Sequence, residues 1–66
     1  MEKKVVQLKI IEQLRGNDLS QRWLADRARV HESQLSQIIN GKLIPNHRQR
    51  EAIARALRMR SDQIFV

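Results

Sequence analysis

Between Ser20 and Asn40 the chain spaces its apolar residues in a way that leaves few folds open to it. The segment reads SQRWLADRARVHESQLSQIIN. Leu24, Ala25 and Ala28 recur at helical spacing over about 21–28, and Leu35, Ile38 and Ile39 do so over about 32–39. Arg29, Val30 and His31 make a sharp turn between them. Two short helices joined this tightly cross at a fixed angle and bury a small shared set of side chains. Leu24, Ala28, Val30, Leu35 and Ile38 supply that set, and Ala25 is small where the helices approach most closely.

The rest of the chain is predicted to be helical as well. A first helix runs from about Lys3 to Arg15, with Leu8, Ile11 and Leu14 three apart and Val6 and Ile10 widening the stripe. Gly16, Asn17 and Asp18 end it, and Ser20 caps the second helix. Asn40-Gly41 stops the third, because glycine accepts the left-handed conformation at a helix end. Leu43, Ile44 and Pro45 form a connection. Asn46, with Gln49 three residues on, opens a fourth helix over about 47–58 that carries Ile53, Ala54 and Leu57. Met59 packs in the following turn, and Ser61 caps a last short turn holding Ile64 and Phe65. The expectation is an all-α, compact bundle of about five short helices, forming a single domain over 1–66.

Composition narrows the function. A chain of 66 residues buries only about 60% of its unfolded surface, so its stability is expected to be marginal. With no cysteine, disulfide frameworks and cysteine-rich zinc sites are excluded. His31 and His47 alone do not make a metal site, and no cofactor is expected. No apolar run approaches the roughly 20 residues needed to cross a bilayer. Gln7 and Lys9 interrupt Val5, Val6, Leu8, Ile10 and Ile11, so no signal-peptide core forms. A cytoplasmic, nucleoid-associated protein is expected. Thirteen Lys and Arg against seven Asp and Glu give a net charge of +6, and the isoelectric point is about 11.2. The charge is spread through helical segments, which suits a folded basic face for nucleic acid. A membrane surface fits less well, because Trp23 and Phe65 are the only aromatics. No nucleophile–base pair, glycine-rich phosphate loop or metal cluster is seen, so no enzyme is expected.

Leu19-Ser20-Gln21, Leu24-Ala25, Val30, Leu35-Ser36, Ile38, Asn40-Gly41-Lys42, Pro45 and Ile53-Ala54-Arg55-Ala56-Leu57 together resemble the lambda-repressor-like (Cro/CI, or XRE) helix-turn-helix family. The resemblance covers about residues 5–65. It implies a lambda-repressor-like bundle, with the helix-turn-helix at the second and third helices. Two departures stand out. The family usually has glycine where Arg29 stands, because φ is positive there; Arg29 should cost about 1 kcal/mol, which a basic contact justifies or neighbouring packing offsets. Many members also bury an arginine of the first helix against a glutamate closing the third. Leu14 and Ile39 hold those positions, so no charge is stranded, and such an exchange is often neutral or stabilising.

The resemblance also implies site residues. The third helix becomes the recognition helix, its N-terminus entering the major groove of a double-stranded operator. Glu32, Ser33 and Gln37 take the main base-reading positions, with Gln34 and Ser36 secondary. Gln37 suits adenine bidentately, and Glu32 can accept from a cytosine amino group. Glu32 also reads as a first-turn acid favoured by the helix dipole. Gln21 begins the second helix, where free backbone N–H groups suit a phosphate; the family uses it there and to brace the third helix. Asn40 and Lys42 are expected on the DNA backbone, with plain C-capping as the alternative for Asn40. Arg48, and less directly Arg50, add phosphate contacts. Arg22 and Arg29 either touch phosphate or face water. His31 replaces the usual Ser/Thr cap and is open as a weak cap, a phosphate contact or a pH-sensitive group. His47 reads as a surface residue. Trp23 covers the core edge or touches a partner. The implied function is a sequence-specific transcriptional regulator, a phage or prokaryotic repressor binding a palindromic operator as a homodimer, with Ile64 and Phe65 as dimer candidates. The competing readings are an antitoxin or controller of the same fold that also binds a protein, and an interaction module that keeps the fold as scaffold.

Overall fold

A computed structural model describes residues 7–65. The elements are α1 (Leu8–Gly16), α2 (Gln21–Ala28), α3 (Glu32–Ile39), α4 (His47–Ala56) and α5 (Ser61–Ile64). There is no strand among the described residues. The second and third helices have the bounds that their apolar spacing predicts.

Three of the five helix starts have a local side-chain cause, and α1 and α3 begin without a side-chain cap. The Ser20 hydroxyl accepts from the Trp23 N–H at 3.0 Å and opens α2. Asn46 and Gln49 form a reciprocal capping box: Asn46 Oδ1 accepts from the Gln49 N–H at 2.8 Å and Gln49 Oε1 accepts from the Asn46 N–H at 3.0 Å. The last helix differs from expectation. Arg60, not Ser61, is its cap residue, and Gln63 Oε1 accepts from the Arg60 N–H at 2.9 Å. Ser61 is the first helical residue, its hydroxyl 3.4 Å from Glu51 Oε1.

The four longer helices stop by one device. A left-handed residue donates its N–H to the carbonyl three back, and the next residue donates to the carbonyl five back. Asp18 and Leu19 do this for α1, Arg29 and Val30 for α2, Gly41 and Lys42 for α3, and Arg58 and Met59 for α4, with N–O distances of 2.8–3.4 Å. The left-handed residues have φ of 56° at Asp18, Arg29 and Arg58 and 76° at Gly41. Leu19, Val30 and Met59 then pack against the core. The predicted extent of the fourth helix, to residue 58, is therefore too long: α4 ends at Ala56, with Leu57 as its cap residue.

Ile10, Leu14, Leu24, Ala25, Ala28, Leu35, Ile38, Ile39, Ile53, Ala54 and Ile64 form the core. Within the bundle, α2 packs most extensively on α4 and then on α3, while α5 touches α4 and α1. Leu14 and Ile39 are both buried in this cluster, so an apolar pair does stand where the family's ion pair would. The first helix corrects the predicted stripe. It begins at Leu8 with Gln7 as its cap residue; residues 3–6 of the predicted helix, Val6 among them, lie outside the described residues. Ile10 and Leu14, four apart, make its inner seam, while Leu8 is 62% exposed. At about 100° per residue, Leu8 lies some 200° around the helix from Ile10.

Candidate nucleic-acid interface

The third helix has two sharply different faces. Leu35, Ile38 and Ile39 are buried, whereas Glu32, Ser33, Gln34 and Gln37 are exposed. Helical spacing puts Ser33 and Gln37 one turn apart at the centre of the outer arc, with Glu32 and Gln34 on its flanks. No described residue takes a hydrogen bond from, or gives one to, the side chains of Ser33, Gln34 or Gln37. Ser36 stands apart from this group. It is half-buried, its carbonyl accepts from Asn40 Nδ2 at 2.8 Å, and its Oγ lies 3.5 Å from the same nitrogen.

Both ends of α3 are tied down. Gln21 Nε2 reaches the Glu32 carbonyl at 3.5 Å, a long bond that braces the N-terminal end. At the other end the Gln7 backbone N–H donates to the Ile39 carbonyl at 2.9 Å. Gln7 is 8% exposed. Nothing in its sequence position marks it as a tether, because the contact is tertiary.

The expected phosphate contacts surround this helix. Gln21 is half-buried, and Arg22, Asn40, Lys42, Arg48 and Arg50 are exposed. Asn40 is the C-cap residue of α3, with its amide nitrogen committed to Ser36 and its Oδ1 left open. Lys42 is set by its own N–H bond to the Gln37 carbonyl at 2.8 Å. Arg48 and Arg50 stand in the first turn of α4. His31 is exposed at the cap position of α3 and makes no side-chain capping bond. His47 Nε2 lies 4.0 Å from Glu51 Oε1. Trp23 is half-buried at the core edge, with the Arg27 guanidinium 5.2 Å from its ring centre, a cation–π contact.

A second face lies beside the end of α3. Ile44 is 89% exposed, the extreme among the large apolar side chains described. It borders a groove of about 230 Å³ lined by Leu43, Pro45, Phe65 and Gln7. The Gln7 Oε1 is buried there and has no hydrogen-bond partner among the described residues. Of the two dimer candidates, Phe65 lines this groove. Ile64 does not: it is 1% exposed and belongs to the monomer's own core. The signal in the sequence is the apolar run Leu43-Ile44-Pro45 in a connection between helices.

No helix among the described residues is long and apolar enough to cross a membrane. The sequence model of a family described as a helix-turn-helix domain matches residues 9–64. No curated protein and no solved structure matches the chain.

Proposed function

The chain belongs to the helix-turn-helix domain family, and from that premise we propose that it is a sequence-specific, double-stranded-DNA-binding transcriptional regulator. It is of the Cro/CI-like, phage or prokaryotic repressor type, works in the cytoplasm, and blocks polymerase by occupying an operator. It acts as a binding protein and not as an enzyme. The observation that carries this reading is the outer face of α3. A helix held at both ends presents Ser33 and Gln37 without internal partners, in a chain of net charge +6. Those side chains can spend their hydrogen-bonding capacity on base edges, while the surrounding Arg and Lys residues neutralise phosphates.

One such module reads only a few bases, so a two-fold dimer is proposed, with half-sites about 34 Å apart. The Ile44–Phe65 groove supports it, because an exposed isoleucine on the wall of a groove lined by Leu43, Pro45 and Phe65, with Gln7 and Arg50 beside them, can be self-complementary across a two-fold axis. The same groove favours the second reading, in which an antitoxin or controller seats a different protein there. Selection of bound duplexes from a random library tests the proposal. Enrichment of a palindromic sequence with two half-sites is expected, and recovery of no preferred sequence would sink it. A single half-site, with a co-expressed small protein retained on the chain, would favour the second reading.

A further inference from the structure

The helices α2 and α4 meet along a cleft rimmed by Arg27 and Arg29 on one side and Arg48 and Arg55 on the other, with Ala28 and Ala52 at its floor. It measures about 360 Å³. It continues into a smaller cleft of about 180 Å³ that shares Arg29 and Arg48 and reaches Gln34 on α3. All four arginines are exposed. None is ion-paired to a described residue, and of the four Arg27 alone has an aromatic partner, its guanidinium 5.2 Å from the Trp23 ring centre. Asp26 and Glu51, on the same two helices, do not line either cleft. Gathering like charges without a counter-charge is unfavourable for folding.

Arg29 lines both clefts. It holds φ at 56°, a conformation that glycine adopts without the steric cost of a side chain. Asp18 and Arg58 have the same φ, so the bend is the ordinary helix exit of this fold, and the place of Arg29 in both clefts is what bears on the inference.

The geometry points to this cleft as a channel for the phosphodiester backbone of the same duplex, beyond the base pairs that α3 reads. The inference rests on the reading of α3 as the recognition helix. Guanidinium forks match phosphate oxygens bidentately. The alanine floor leaves room for a sugar–phosphate strand, and the cleft opens beside Gln34 and Arg48, where the duplex already lies. Arg55 is seven residues beyond Arg48, about 10 Å along α4, so the flanking DNA curves toward the protein to reach it. Arg27 and Arg55 are the new contacts.

The test compares the whole chain with its Arg27→Gln/Arg55→Gln variant, measuring affinity against salt. One selected duplex is trimmed to the region read by α3; a second carries longer flanks. On the long duplex the variant's log–log salt slope is expected to be shallower by about two. Between about 50 and 200 mM salt, the unaltered chain should then lose on the order of tenfold more affinity than the variant. On the trimmed duplex the two slopes should coincide. Arg55→Gln alone, at an exposed position, should change the long-duplex slope by about one. It serves as the test if the double variant fails to fold. Arg27→Lys, which keeps the charge, should retain the slope. Equal slopes on the long duplex overturn the channel. So does a deficit confined to poly-glutamate binding, which would make the cleft a seat for an acidic protein. If the unaltered chain shows no salt-dependent DNA binding at all, the reading of α3 falls and the channel with it, and this is seen before any variant is compared.

Discussion

The inner and outer faces of α3 share eight residues and divide two tasks almost without overlap. Leu35 and Ile38 are 0% exposed and Ile39 4%, so the inner face belongs wholly to the core. Glu32, Ser33, Gln34 and Gln37 are exposed, and their side chains make no hydrogen bond to a described residue. The outer face therefore contributes little to folding, and the inner face offers nothing to a ligand. A helix built this way can change its outer side chains without changing how it folds.

The largest effect is expected from the inner face. Leu35→Ala removes a fully buried side chain and should cost about 2–5 kcal/mol, a large share of what so short a domain has. Urea titration should show the midpoint collapsing, and DNA binding should fall in step with the folded fraction. Binding that survives in an unfolded population would break the comparison.

Gln37→Ala should do the reverse. Stability should stay within about 0.5 kcal/mol, while discrimination at one base position drops by about 1–3 kcal/mol. Competition with duplexes altered one position at a time measures it. A shift in the urea midpoint would show that the faces are not separable.

Arg29→Gly is the smallest and sharpens the picture most. It should raise stability by about 0.5 kcal/mol, net of the extra freedom of the unfolded chain. It should also make the salt slope of DNA binding shallower by about one. A gain in stability with an unchanged slope would mean that Arg29 only faces water.

The sequence carried the helix-turn-helix itself almost in full. Ser20, Gly41 and the apolar spacing bound α2 and α3 because their signals are local: a cap, a left-handed stop and a periodic stripe. The outer face of α3 was legible for the same reason, although the roles assigned to Glu32, Ser33 and Gln37 came from the family resemblance. The ends of α1 and α4 were harder. Arg58 carries no sign of a left-handed stop, so the sequence predicts a fourth helix that runs through it. The determinant lies one residue on, where Met59 turns inward to the core, and that is a tertiary choice. Leu8 falls on the predicted stripe because three-residue spacing admits a neighbouring stripe as readily as the true one. Gln7, the groove beside Ile44 and the arginine cleft all depend on which helices meet, which no window along the chain contains.

Asp18 and Arg58 share the strained exit of Arg29, with φ of 56° at each. Arg58 borders a hollow with Asn17, Leu19 and Trp23 to which α3 contributes nothing. On the proposed reading of α3, heat tolerance and operator choice are thus set by different letters of this chain. A lineage or an engineer can harden the scaffold at these two bends and leave its vocabulary of target sites intact.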